Sequence, residues 1–360
     1  MEQSPLSHRE RVLLALEHKE TDRIPIAMVC SGINSPAREI FEAYLAKERG
    51  LSINSFLSPL LDIEDLTPPF KRVEPSDGYD MWGVHRSPVA NTSGGSYYEI
   101  DHFPLGDAET IDDLKRHVWP VPDWFDYDAL PGIVRRMRQE DNRCLMVSCG
   151  NIFETSWYMR GFERMFMDFL DDPEFAHALL DIVCDFYMEH ATRILSAVPG
   201  EIDLVFTADD IAGQKGLLMS LDMWETFIKP KHVKLNRRIH ELGARVIYHT
   251  DGAVMEAVPG LIDMGIDVLQ ALQFDAEGMD PVELKEKYGD KLCFEGGVSV
   301  QKTIPFGSPD DVRAEVFRLS QVLGKGGGYI LGPSHVIQAG TPPENIAALF
   351  DEASCPWQRR

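Results

Sequence analysis

His249, Asp251 and His335 are the residues whose types and spacing could do chemistry together. His249-Thr250-Asp251-Gly252 ends a short apolar run at 245–248. In extended chain, residues two apart point the same way, so His249 and Asp251 can reach one ion. His335 follows another apolar run, 329–331, that Gly332 and Pro333 stop. Two imidazoles and one carboxylate suit zinc or ferrous iron and leave a position open for substrate. The competing reading makes His249 a hydrogen-bonded pocket histidine and Asp251 a helix cap.

Other apolar runs end in the same way. Cys149-Gly150-Asn151 ends the run at 144–149, and Asp209-Asp210 ends that at 204–207, with Gly213 and Gln214 close behind. Gln270 and Gln273 close the run at 268–272, and Glu295-Gly296-Gly297 that at 291–294. Any one aspartate is also a good cap. Polar residues at every run's end, where a core would place Val or Leu, describe a pocket.

The elements that must position these residues alternate. Amphipathic helical stretches such as 222–242, 254–264 and 281–288 separate most of the apolar runs, which is the pattern of a parallel sheet. Residues 24–30 add a seventh run, and an eighth could hide in 70–100. The fold class is therefore α/β: a single, distorted (β/α)8 TIM-type barrel over 1–353, whose chemistry sits at the carboxyl ends of the strands. An open doubly wound sheet is the alternative. An N-terminal helix within 1–23 is announced by Ser7 and Glu10, a capping box. Residues 70–120 read as an irregular excursion with a hairpin, and 354–360 as a tail. Thr341-Pro342-Pro343-Glu344 reads as a helix start with Thr341 as its cap. No GxGxxG follows an early strand, so a dinucleotide site has no support.

The 360 residues carry a net charge of −23 and a pI near 4.8. That excludes nucleic acid and an anionic membrane surface as partners. Six dispersed cysteines without a CxxC read as reduced thiols in a cytoplasmic protein. No apolar run reaches the roughly 18 residues of a membrane span.

With these residues assembled, the chain resembles the uroporphyrinogen decarboxylase superfamily, which includes zinc-dependent methyltransferases that move a methyl group between a corrinoid and a thiol. The resemblance covers nearly the whole chain. It is carried by Arg9, Ala15-Leu16 and Asp22-Arg23-Ile24-Pro25, by Asp209-Asp210-Ile211-Ala212-Gly213-Gln214, by Tyr248-His249-Thr250-Asp251-Gly252, and by Gly332 to Ile346. It implies a distorted (β/α)8 barrel. The decarboxylases grip porphyrin carboxylates with an early arginine-rich motif; here Met28-Val29-Cys30-Ser31-Gly32-Ile33 stands in its place. Their Phe-Asp-Ser segment corresponds to Ala208-Asp209-Asp210, their Tyr-Met pair to Tyr158-Met159, and their late His to His335. In the methyltransferases a His-x-Cys pair and a later Cys bind zinc; here these fall on His249-Thr250-Asp251 and His335, so both sulfur positions are replaced. Harder ligands admit metals besides zinc.

The resemblance thus implies a metal-assisted, corrinoid-dependent methyltransferase. His249, Asp251 and His335 would hold a divalent metal. Asp209, Asp210 and His335 would be catalytic. Gln214, Tyr158, Gln338, Gln273 and Asn151 would position a small-molecule substrate. A separate corrinoid protein would dock on the strand-end face, and a homodimer through the outer helices is expected. Two alternatives stand. One is a decarboxylase of uroporphyrinogen or a smaller polycarboxylate, with Arg160 and Lys215 as its cations; the other is a non-catalytic barrel that binds a corrinoid or small ligand.

Overall fold

A computed structural model describes residues 6–71, 77–90 and 94–356. Of the expected tail, residues 357–360 lie outside that description. Seven parallel strands form one curled sheet, in the order Ile63–Asp65, Cys144–Asn151, Leu204–Ala208, Arg245–His249, Val268–Gln270, Cys293–Val298 and Tyr329–Pro333. Six of the apolar runs read from the sequence are in this sheet.

The seventh run, 24–30, is not a strand of its own. It contributes one residue, Ile26, which bridges in parallel to both Leu61 and Leu331. Ala27 N donates to Leu331 O and Asp62 N to Ile26 O, so this segment fills the gap between the first and last strands and closes the barrel. The expected strand within 70–100 is not in the barrel either. The missing strand is Ile63–Asp65, whereas 70–120 holds an antiparallel hairpin, His85–Ala90 with Ser96–His102.

Side chains from alternate strand positions fill the lumen. Cys144, Met146, Leu204, Phe206, Ile247, Val268, Cys293 and Ile330 form one buried cluster with Ala27, Val29 and the N-terminal helix residues Val12, Ala15 and Leu16. That helix, His8–Leu16, starts at the Ser7–Glu10 capping box and plugs the amino-terminal end. The last helix, Pro343–Ala353, has Pro342 rather than Thr341 in the cap position, and no side chain caps it.

Asp62 fastens the plug. It is fully buried just before the first strand and accepts from Arg11 Nη1 and Arg23 Nη1, both at 2.6 Å, from Ile26 N at 2.7 Å and from His8 Nδ1 at 2.8 Å. Burial alone would raise this carboxyl, but His8, Arg23 and Arg11 hold it below its ordinary 3.8. The pair network is therefore complete above that value and is lost as pH falls through the lower folded value. Asp62→Ala leaves Arg23 without a carboxylate partner and Arg11 with Asp22 alone, and is expected to cost roughly 3–5 kcal/mol, read by denaturant unfolding at pH 7. The same variant should show a smaller stability gain than wild type on going from pH 3 to pH 5, the remainder coming from other lowered carboxyls such as Asp22 and Asp267.

Candidate active site

The site lies where the carboxyl ends of the strands meet. His249 is the last residue of Arg245–His249 and lies level with Ala208 and Asn151 on the neighbouring strands. Its Nδ1 hydrogen-bonds Gln270 Oε1, and Gln270 Nε2 donates to Val29 O at 2.9 Å. The amide nitrogen is thus spent on a carbonyl, so the amide oxygen must accept and His249 Nδ1 must carry the proton. His249 Nε2 is left with its lone pair facing the mouth.

Two carboxylates lie against that nitrogen, and a second imidazole lies beyond one of them. Asp210 Oδ1 is 3.6 Å from His249 Nε2, and Asp251 Oδ1 is 4.0 Å from it. His335 Nε2 is 3.7 Å from Asp251 Oδ2. Donor atoms of His249, Asp251 and His335 all lie within 4.8 Å of one another. Asp251 Oδ1 is buried and has no hydrogen-bond partner, and Asp251 caps no helix. Burial raises its carboxyl, and Asp210 adds to this, while His249 and His335 oppose it. A free imidazole nitrogen beside an unpaired buried carboxylate oxygen is a set that a divalent cation satisfies, so the residues present fit one.

The turn that presents Asp251 depends on Gly252. It has φ +87°, and a Cβ there would meet Gly213 O at 2.4 Å. Ala253 N bonds that same carbonyl, which seats the turn on the Ala212–Gly213 ribbon.

The two adjacent aspartates separate completely. Asp209 is fully buried and turned away from the mouth. It accepts from Phe153 N and Glu154 N, the first turn of the Ile152–Arg160 helix, and from His232 Nε2 at 2.6 Å. Asp210 is partly exposed, faces His249, and accepts from Asp251 N at 3.0 Å.

The remaining residues line the rim. Tyr158 OH donates to Glu154 Oε1 at 2.6 Å, and Asn151 Nδ2 to Glu154 Oε2 at 3.0 Å. Gln214 Nε2 donates to Gln273 Oε1 at 2.8 Å. Gln338 reaches Asn34 and Val336 O, away from this pair. Arg160 is buried against Asp168, Leu105 O and Ala108 O, where it pins the excursion and its charge is spent inside the fold. Lys215 is exposed on the ribbon.

Four residues that the strand-end rule passes over also belong here. Glu154 is buried, and burial, with Asp210 and Asp209 nearby, raises its carboxyl to about 8. Its sequence signal was the three-residue spacing from Asn151 across a helix start. Asp65 follows Ile63, which packs on the lumen cluster, so Asp65 points into the barrel, where desolvation raises its carboxyl. Arg86, delivered by the hairpin, lies over the Tyr158 ring at 5.0 Å and pairs with Asp80 at 2.7 Å. Cys30 is exposed, with φ +46°, and partial desolvation together with the charges of Glu154, Asp251, Asp210 and Glu295 pushes its thiol up to about 12.

Glu154 gives a pH prediction. Its folded value lies above the ordinary 4.5, so between about pH 4.5 and 8 the folded chain holds a proton that the unfolded chain releases, and stability falls as pH rises. Glu154→Gln should flatten that fall in Tm, measured by thermal melts from pH 5 to 9. An unchanged slope would show Glu154 to be ionised throughout.

A closed parallel barrel with ionisable strand ends around a two-His, one-carboxylate cluster defines the class of this molecule. The chain belongs to the uroporphyrinogen decarboxylase family, whose model matches residues 102–354. It is 24% identical to the uroporphyrinogen decarboxylase of Alkalilimnicola ehrlichii over 95% of this chain and 92% of that protein. It is 26% identical to the methylated-thiol–coenzyme M methyltransferase of Methanosarcina mazei over 54% of this chain, a match spanning about half, 49%, of that relative's length. A solved methyltransferase from Methanosarcina mazei shares the fold, with a TM-score of 0.65, 19% identity, and coverage of 97% of this chain and 98% of that one. Among the described residues, no helix is long and apolar enough to cross a membrane.

Proposed function

We propose that this chain is a methyltransferase that binds a divalent metal through His249, Asp251 and His335 and works with a corrinoid carried on a separate protein. The observation that carries this reading is the convergence of those three side chains, one of them with a buried, unpaired carboxylate oxygen. A bound ion supplies Lewis acidity, to activate the methyl acceptor or polarise the donor's heteroatom.

The chain's own residues do the rest. Gln270 fixes the His249 tautomer. Asp210, partly exposed and beside His249 Nε2, takes or returns the proton of the acceptor. Glu154, protonated near neutral pH and oriented by Tyr158 and Asn151, is a donor on the same rim. Asp209 positions the Ile152–Arg160 helix, and so Glu154 and Tyr158. Gln214 and Gln273 wall the far side of the mouth.

The test is metal analysis of protein purified without chelator, followed by methyl transfer from methylcobalamin to candidate acceptors. The expected result is one ion per chain and metal-dependent demethylation of the corrinoid. No bound ion, and none taken up, contradicts the reading.

A second reading, decarboxylation of a small polycarboxylate, is supported by the near full-length decarboxylase match and by Asp65, exposed at the carboxyl end of the first strand on the face that Ile63 turns to the lumen. Against uroporphyrinogen itself stands the wall chemistry: Arg160 is consumed inside the fold, and Arg86 is already paired. Incubation with uroporphyrinogen should leave its mass unchanged; stepwise loss of carboxyl groups would favour this second reading.

A further inference from the structure

Beside the His249 cluster lies a cavity of about 270 Å³ that none of the site residues except Asn151 touches. It opens at the carboxyl ends of the first two strands, under the excursion and against the long Pro173–Ala197 helix. Its wall is made of rings and aliphatic side chains: Leu66, Met81, Phe125, Phe186 and Tyr187, with His190. Trp82 packs edge-on against Phe186 and is tilted over Tyr187, with ring centroids 5.0 and 5.7 Å away, so the rings are held in place without a ligand.

The polar atoms of this wall are mostly spent. Tyr187 OH pairs with Thr155 Oγ1 at 3.0 Å, and His190 Nδ1 with Tyr127 OH at 2.7 Å. Burial lowers His190 to about 4, which leaves it neutral. Among the described residues, no Lys, Arg, Asp or Glu lines the cavity. Ser148 stands out. It lies mid-strand between buried neighbours yet is exposed, and it lines this space on the strand face it shares with Cys144 and Met146.

Two features connect the cavity to the chemistry. Asn151 lines it and also hydrogen-bonds Glu154. Asn151, Ala208 and His249 are partners across three adjacent strands, which puts Asn151 roughly 10 Å from His249 at about 4.8 Å per strand. A molecule seated in the cavity would extend along that row to the cluster. A larger groove, about 470 Å³, lies outside the barrel between the Leu130–Glu140 helix and residues 197–201 and touches none of these groups.

We propose that this cavity is the substrate subsite and that it takes a small, neutral molecule built on a single aromatic ring, with Ser148 and Asn151 meeting one oxygen substituent. The size fits: about 270 Å³ lies just below the roughly 300–1,000 Å³ of pockets for drug-sized ligands. It has no room for a four-ring tetrapyrrole. The wall chemistry fits as well, because an anion buried here would find no cation to repay its desolvation. The proposal names the substrate class for the methyl-transfer reading and rests on that reading only for what becomes of the bound molecule.

The experiment is titration calorimetry of the whole chain with 2-methoxyphenol and, separately, with benzoate, on wild type and on Ser148→Phe and Met81→Trp, with metal content measured on each. Ser148→Phe fills the cavity from below; Met81→Trp closes its rim without touching a strand and serves if the first variant misfolds. The expected result is saturable binding of one 2-methoxyphenol per chain, at least about tenfold weaker in either folded variant, with benzoate at least about tenfold weaker in wild type and metal content unchanged. No saturable binding to wild type, binding unaltered in the folded variants, or benzoate bound as tightly would overturn the proposal. A chain that binds 2-methoxyphenol as expected but takes up no metal would sink the methyl-transfer reading and leave this subsite standing.

Discussion

Alanine at His249 is expected to lower metal affinity at least about 100-fold, beyond the roughly 10–100-fold that follows loss of an outer partner of a metal ligand. The fold should survive. His249 sits at the end of its strand, and its loss leaves only Gln270 Oε1 without a donor, a cost of about 1–3 kcal/mol. Gln270→Leu separates holding an ion from orienting its ligand. It removes the acceptor that forces the proton onto His249 Nδ1, so the ring is free to turn or to protonate Nε2. The expected loss is roughly 10–100-fold in metal affinity, measured by competition with a chromophoric chelator. Gln270→Glu keeps an acceptor and should retain most of the affinity. Equal affinity in wild type, His249→Ala and Gln270→Leu would mean that the ion is held elsewhere or not at all.

A stability effect as large as that at Asp62 is expected at Asp209. Its carboxylate joins the helix start at Phe153 and Glu154 to His232, with both side chains fully buried. Asp209→Ala leaves His232 and two amide N–H groups without an acceptor, and roughly 3–5 kcal/mol should be lost. Because the Ile152–Arg160 helix carries Glu154 and Tyr158, the rim should loosen with it. Asp210→Ala, one residue on, should leave unfolding within about 1 kcal/mol of wild type, as for an exposed pair, and reduce turnover. Denaturant melts of the two variants decide the matter. A stable Asp209→Ala protein without activity would make Asp209 a catalytic residue instead of a positioning one.

Adjacent aspartates with opposite fates show what the sequence can and cannot carry. The strand-end rule finds His249, Asp251 and His335 because each follows an apolar run that a polar residue or a Gly–Pro stop ends, and the structure brings their donor atoms together. Which of Asp209 and Asp210 faces the mouth depends on His232 and residues 152–154, more than twenty positions away, and no local pattern encodes it. The barrel was legible from the alternation of runs. Its first strand was not, because Ile63–Asp65 is three residues long with two acids; it is held by the buried Asp62 network and carries no apolar signature. The reverse error at 24–30 has a related cause. Seven apolar residues in a row read as a strand, but the lumen, the closing bridge at Ile26 and the turn at Cys30 divide them. Arg86 and Met81 arrive on the hairpin excursion, so their place over the mouth follows from tertiary packing alone.

The central claim is that His249, Asp251 and His335 hold one divalent ion without a thiolate. Cobalt(II) titration of the apo chain, followed by visible and near-ultraviolet absorption, tests it directly. The account predicts saturation at one ion per chain with weak ligand-field bands of nitrogen and oxygen donors, no intense thiolate charge-transfer band, and loss of the spectrum in Asp251→Ala. A strong thiolate band would place a cysteine in the site, and no saturable spectrum at all would contradict the metal centre.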